Sequence, residues 1–447
     1  MVADRSFLAK LLYSLAGRGL FTAALLADGF VNAAEPAKST AIQVRDRLAS
    51  QYFKPRPARV EAMLDIGLQQ ITHQPTTAAA WRTLVNERDV IGIKVNARAG
   101  PVAGTRPAVV AAVVDSLLRA GFKPGQLVVW DRHLRDLKHA GYETISKKYR
   151  VALAGAHEEG YDDWAPYRYA FLPWKPAIGE LLHGHKVSSD LSHPSKLVSE
   201  KLTAILCVHP PLYIPRTGHS GHLAELAQAS ADNTHRFSYY LPGFRDAIPA
   251  LCDRVAFSHT LTADRLRKAL DEKAAPETFT LLPATGKIKI QFNENKSHLE
   301  ALHTALKTAA AEGKPQGISF QTGQMNWRQW VLPDGRMTLD PGTNAKQLLP
   351  HSKLRLAITD ALFCQYHQGN RIRTDYAVAT NELWFSTDLL ALDSIGFQMV
   401  EDLRRSANLP PGIGQNLMHR TAQGMLLGNA FANRIEVKLV NQTFDGP

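Results

Sequence analysis

The chain of 447 residues reads as an α/β protein: two lobes around a mostly parallel sheet flanked by helices. Three observations predict this. Residues 89–95 (DVIGIKV) are a short β-branched apolar run, the pattern of a strand buried on both faces. A Gly- and Pro-rich loop over 97–107 then leads into Val109, Val110, Val113, Val114, Leu117 and Leu118 at helical spacing, with a stop at Gly121. Residues 127–130 (LVVW) form the next strand, so 89–130 has the size of one parallel βαβ unit.

The remaining elements follow in order. Residues 41–71 carry Val60, Met63, Leu64, Ile66 and Leu68 near a 3.6-residue period and predict a helix. Thr105 is placed to cap the helix after the first loop, and Pro107 suits its first turn. Residues 203–208 (TAILCV) are a buried strand, and 285–292 (TGKIKIQF) alternate as an edge strand does. Residues 297–312 are amphipathic, with Leu299, Leu302 and Leu306 on one face. The Pro-, Gly- and Asp-rich stretch 332–352 divides an N-terminal lobe, 35–345, from a C-terminal lobe, 346–447. In the latter, 354–358 is a strand ending at Asp360, Asp388 caps a helix within 386–404, and 435–440 is a final strand.

Composition narrows the function classes. Lys plus Arg is 52 against 41 Asp plus Glu, a formal charge of +11. The basic residues are scattered, and no zinc finger, RNP motif or basic zipper occurs, so specific nucleic-acid binding is not expected. Cys207, Cys252 and Cys364 are far apart in sequence, too few for a disulfide scaffold or for the four thiolates of an iron–sulfur cluster. No apolar stretch is long enough to cross a membrane. Residues 1–34 place Arg5, Lys10 and Arg18 before the apolar run 19–27 (GLFTAALLA), followed by Val31-Asn32-Ala33. This basic, apolar, small-residue order predicts export, to a periplasm; an ordinary packed helix and an uncleaved anchor are the alternatives.

The right-handed crossover of a βαβ unit brings the 97–107 loop and Asp131 to the C-terminal edge of the sheet, where open α/β sheets bind ligands. Lys94, Asn96, Arg98 and Arg106 gather there around a helix N-terminus, a setting for a small anionic molecule. The alternative is that Lys94 and Asn96 satisfy loop carbonyls. Asp131 and Arg132 read either as a structural ion pair or as a catalytic pair with Asp131 the general base or a metal ligand, and Asp360 occupies the matching strand end. Histidines are dense between 183 and 235. His183-Gly-His185 and His219-Ser-Gly-His222 have spacings that can hold a divalent metal, with Asp190 or Asp232 as a third ligand. His219 and His222 are equally candidates for acid/base work. No Gly-x-Ser-x-Gly, His-Glu-x-x-His or Cys–His motif is present.

Seven segments in order resemble one family, the domain of unknown function 362. They are Gly92-Ile93-Lys94-Val95-Asn96; Thr105-Arg106-Pro107; Val129-Trp130-Asp131-Arg132 with Ala140-Gly141-Tyr142; Asp232-Asn233-Thr234-His235-Arg236-Phe237; Ile358-Thr359-Asp360-Ala361-Leu362; Ser386-Thr387-Asp388 through Asp393; and Arg434-Ile435-Glu436-Val437. They span most of the chain. Asn233 and Arg236, in the fourth, join the substrate-binding candidates. Some family members carry appended cluster motifs, which this chain lacks. Many carry a Lys-x-His element and a Lys-Asn pair where this chain has Pro211-Leu212-Tyr213-Ile214-Pro215 and Ala224-Glu225. The N-terminal part is also remotely similar to the lactate-racemase type of two-lobed α/β protein. The N-terminal segment and the cysteine count make this an exported, cluster-free form of that family. Two functions fit: an enzyme using acid/base chemistry on a small anionic substrate, metal-assisted or not, and a non-catalytic periplasmic small-molecule or metal-binding protein. The oligomeric state is open at this stage.

Overall fold

The computed structural model describes residues 38–161, 167–168, 191–215, 218–232, 260–262, 278–282, 288–291, 316–322, 325–331, 336–340, 353–369, 371–412, 419–420, 422–423 and 427–442. The expectations for residues 1–34, His183, His185, Asp190, Asn233, Arg236, Cys252 and the 297–312 helix lie outside these residues, as does most of the 332–352 stretch.

In chain order the elements are β1 (Ser39–Arg45), α1 (Pro57–Thr72), α2 (Thr77–Leu84), β2 (Ile91–Val95), α3 (Pro107–Arg119), β3 (Leu127–Asp131), α4 (Leu134–His139), α5 (Glu143–Tyr149) and β4 (Ala152–Gly155). They continue with β5 (Ala204–His209), β6 (Leu212–Ile214), β7 (Gly218–Ser220) and α6 (His222–Ser230). A group of six strands follows: β8 (Thr260–Thr262), β9 (Thr278–Leu282), β10 (Ile288–Gln291), β11 (Gln316–Thr322), β12 (Met325–Val331) and β13 (Arg336–Asp340). The last are β14 (Leu354–Gln365), β15 (Ala377–Ser386), α7 (Leu389–Ser406) and β16 (Ile435–Asn441).

The main sheet has ten strands, in the order β16-β1-β15-β14-β5-β2-β3-β4, with β6 beside β14 and β7 beside β6. The run β14-β5-β2-β3-β4 is parallel throughout, while β15 is antiparallel to both its neighbours. The α/β class with a mostly parallel sheet and flanking helices is therefore what the chain adopts. Strands from both sides of residue 345 pair within this one sheet. The six-strand group forms a separate antiparallel sheet, β8-β13-β12-β11-β9-β10.

Alternation along the strands creates two cores. Ile91, Ile93, Val95, Leu206 and Ile358 join Met63, Leu64, Trp81, Val109 and Val113 of α1, α2 and α3 on one face. Trp130, Ile205, Cys207, Ala357 and Trp384 join Leu223, Leu226 and Leu390 of α6 and α7 on the other. Helices thus cover both faces, which is why the parallel strands read as continuous apolar runs. Cys207 and Cys364 are buried free thiols, each pushed up to about 12 by burial, and act as small apolar side chains. Among the described residues no helix is long and apolar enough to cross a membrane.

Three local expectations are corrected. The strand that begins at Leu354 does not end at Asp360 but runs on as β14 to Gln365, because β15 continues to pair with it after its pairing with β5 stops at Thr359. Residues 41–45 are strand, not helix: Ala41 faces one core while Ile42 and Val44 face the other, a period-2 pattern, and the helix starts only at Pro57. Thr105 does not cap α3, whose N-cap is Arg106 with no side-chain cap of its own. Its hydroxyl instead accepts from the Asn96 N–H at 2.9 Å and donates to the Val208 carbonyl at 2.8 Å, tying β2 to β5. Asp388 does cap α7, accepting from the N–H groups of Leu390 and Ala391.

Candidate functional site

The strand order places a topological switch point in the main sheet. From β2 the chain steps outward to β3 and β4, then returns to add β5 on the other side of β2. The connections that follow β2 and β5 lead to helices on opposite faces of the sheet, α3 and α6, and open α/β sheets place ligands at such a point. Register brings Lys94 opposite Trp130, Val95 opposite Val208, and Thr359 opposite His209. Lys94, Asp131, His209 and Asp360 therefore share one rim, as the sequence predicts for Lys94, Asp131 and Asp360.

Lys94 lies on the sheet face opposite Ile93 and Val95. Its Nζ is 2.9 Å from Asp131 Oδ1 and donates to the Val95 carbonyl at 2.5 Å. Asp131 also accepts from the Ala97 N–H at 2.7 Å and the Arg132 N–H at 2.8 Å. The carboxylate thus closes the loop after β2 onto β3. Arg132 turns away from Asp131 and donates to the Gln228 carbonyl of α6 at 2.8 Å. Of the two readings of Asp131-Arg132, the ion pair that forms is between Asp131 and Lys94.

Asn96 bridges the switch point. Its Nδ2 is 3.1 Å from His209 Nε2, while its Oδ1 accepts from the Ala99 N–H at 3.4 Å. With the amide donating, His209 Nε2 is the acceptor and its ring proton sits on Nδ1, on the side of a backbone hydrogen bond at Pro210. Gly104 permits the loop to fold back here, because a Cβ at that position would lie 2.3 Å from the Asn96 carbonyl oxygen. Arg98 is exposed on this loop.

Arg106 and Asp360 form a second buried pair, with Nη1 at 3.0 Å from Oδ1. Asp360 Oδ2 also accepts from the Arg106 N–H at 2.9 Å, so the anion at the N-terminus of α3 is the chain's own carboxylate. Arg106 further donates to the carbonyls of Asp360, Val102 and Phe363. Tyr142 secures the same turn, its hydroxyl donating to the Thr105 carbonyl at 2.6 Å.

His219 and His222 fall on different elements. His219 is in β7, edge-on to Phe397 at a centroid distance of 5.9 Å. His222 opens α6, with Nε2 3.0 Å from Thr359 Oγ1 and its ring 5.8 Å from that of His209. Its Nδ1 is buried without a hydrogen-bond partner. A strand-to-helix junction separates the two, so the His-x-x-His spacing does not act as one helical face. Asp232, offered as a third ligand, is paired with His193 Nδ1 at 2.7 Å. Among the described residues no three His, Cys, Asp or Glu side chains come together as a metal-ligand set.

Burial holds His209, His219 and His222 well below the usual imidazole value, with Lys94 adding to the effect on His209 and His222, and burial brings His419 down to about 4. Asp393 shows the opposite shift. It crosses from α7 to cap α6, accepting from the N–H groups of His222 at 2.6 Å and Leu223 at 2.9 Å. Burial pushes it up to about 7 against the hold of those two bonds. A Cβ at Gly221 would lie 2.5 Å from Asp393 Oδ1, so only glycine leaves room for this cap.

The imidazole shifts set a sign. A histidine whose folded value lies below 6.5 contributes stability that is complete above that pH and is lost as pH falls. For His419 the fall to about 4 corresponds to about 3 kcal/mol. Asp393 works the other way: its contribution is complete below 3.8 and lost as pH rises toward 7. The His419 share is isolated by comparison with His419→Leu. The wild type is expected to lose about 3 kcal/mol relative to that variant between pH 7 and pH 4 in urea titrations. Parallel curves would show that His419 is not buried as a neutral imidazole.

His209, Thr359 and Asp393 escaped the sequence reading as site residues. His209 had the same signal as Asp131, a polar residue directly ending a buried apolar strand. Thr359 directly precedes Asp360. Asp393 had none, because its partners are in α6.

No family model matches the chain, and no curated protein matches it. Among solved structures, a crystal structure of a Thermotoga maritima protein aligns with 40% of this chain and 39% of its own, at 14% identity and a TM-score of 0.26. The matched part is about two fifths of that protein's length. Similarity at that level assigns neither fold nor function to this chain.

Proposed function

We propose that the chain is an exported protein of the domain of unknown function 362 type whose switch-point rim performs acid/base chemistry on a small anionic substrate. One observation carries this reading. Two neutral imidazoles, His209 and His222, stand 5.8 Å apart beside the Lys94–Asp131 pair at the place where α/β sheets bind ligands. Neutral imidazole is the form that accepts a proton, and His222 Nδ1 has no competing partner. Lys94 offers the buried positive charge and Arg98 the exposed one. Lys94, Asn96, Asp131, His209 and His222 are each only 3–4% exposed, so the loop carrying Arg98 must shift for a substrate to arrive.

A second reading is favoured by a specific feature: each buried cation of the rim already has a carboxylate, Lys94 with Asp131 and Arg106 with Asp360. Such a rim supports binding with little net charge and no turnover. Thermal-shift screening of the full chain against small carboxylates and phosphates is expected to yield a stabilising ligand whose effect Arg98→Ala weakens. Turnover of that ligand, reduced at least about 100-fold in His222→Gln while binding persists, supports the enzyme. Binding with the ligand recovered unchanged supports the binding protein. A panel with no stabilising anion would end both readings.

A further inference from the structure

Among the described residues, strand β16 ends the main sheet: it pairs with β1 on one side and with no strand on the other. Edge strands usually carry a bulge, a proline, charged side chains or a covering element that limits further pairing, and of these β16 has, among the described residues, only the charges Glu436 and Lys438. β16 (IEVKLVN) has no proline, runs regularly through all seven residues of its ladder, and leaves Val437 46% and Leu439 47% exposed. Ile435 and Val437 also line a cleft of about 700 Å³ against α7, with Ile395, Phe397, Met399 and Phe431. The open edge is therefore continuous with an apolar surface.

We propose that β16 is a dimerisation edge and that its partner is a second copy of this chain, paired antiparallel across a two-fold axis at Val437. The sequence of the strand is self-complementary about that residue. The axis sets Val437 against Val437 and Ile435 against Leu439 of the second copy, all on the cleft side. On the opposite side it sets Glu436 against Lys438 of the second copy, twice by symmetry. Glu436 and Lys438 are exposed and 3.4 Å apart within one strand, so both are available to form this cross-strand ladder. Alternative registers are poorer. An axis at Lys438 places two lysines face to face, and an axis between 437 and 438 sets Val437 against Lys438 and Glu436 against Leu439. A closed two-fold pairing uses up the β16 edge of each copy, so this contact stops at two chains.

Sedimentation equilibrium on the full chain tests this, with circular dichroism confirming that each variant is folded. The wild type is expected to be a dimer across the micromolar range. Glu436→Lys and Lys438→Glu each set like charges opposite one another at two symmetric places, and each is expected to weaken dimerisation roughly tenfold or more. The double variant E436K/K438E restores opposite charges and is expected to recover the wild-type association. A monomeric wild type overturns the proposal. So does a dimer indifferent to both single reversals, or a double variant as weak as the singles.

Discussion

Asp360→Ala is expected to cost about 3–5 kcal/mol of stability, the range for removing one partner of a buried ion pair. Asp360 is fully buried, and it provides both the counter-charge for Arg106 at 3.0 Å and the acceptor for the Arg106 N–H that begins α3. Alanine leaves a guanidinium that is 3% exposed with carbonyl partners only, and it orphans a helix N–H. Asp360→Asn keeps an acceptor for that N–H and should lose less. Burial raises the Asp360 carboxyl in spite of Arg106, and the attraction within a buried ion pair is generally offset by the cost of taking both charges out of water. The double replacement Arg106→Met with Asp360→Leu should therefore recover most of the loss. Urea midpoints at constant m-value decide the matter. An Asp360→Ala protein within about 1 kcal/mol of wild type would show that Arg106 reaches water or another anion.

Lys353→Met is expected to raise stability at neutral pH. Lys353 begins the chain's path into β14, is 1% exposed, and donates to the Val198 carbonyl at 2.7 Å. Burial alone drags its amine from 10.5 down to about 7. At about 1.36 kcal/mol per pH unit this corresponds to about 5 kcal/mol. The folded value lies below the unfolded one, so the unfolded chain binds more protons between pH 7 and 10.5, and stability rises with pH through that window. Methionine fills the same channel without a charge but leaves the Val198 carbonyl unpaired, at a cost of about 1–3 kcal/mol. The net gain at pH 7 should be about 2–4 kcal/mol, and the rise in stability between pH 7 and 9.5 should flatten. A wild type whose stability does not change across that interval would refute the neutral-amine description of Lys353.

Both predictions concern residues whose importance differs in how far it could be read beforehand. Asp360 was visible as a carboxylate following an apolar run, although β14 does not end there: only its parallel pairing with β5 stops, at Thr359. Lys353 was not visible: a lysine directly after a Pro- and Gly-rich stretch is expected at the surface. The βαβ unit of 89–130 was legible because β2, α3 and β3 each carry their own hydrophobic period. Strand β1 was misread because three apolar residues in seven are compatible with either period. Its neighbours β15 and β16, more than 300 residues away, settle the question.

What the amino-acid order determined alone was the class of fold, the positions of its buried strands and the helix starts marked by Pro107 and Asp388. These depend on side chains a few residues apart, whose spacing decides which face turns inward. Only the tertiary structure decided the partners: Lys94 with Asp131, Arg106 with Asp360 across 254 positions, and Asp393 capping a helix 170 residues earlier. Strand order sets those meetings, and strand order is a global balance of burial and chain closure that no local pattern encodes. The lysine and arginine that read as anion receptors consequently met carboxylates of their own chain, while His209 came to the centre of the site.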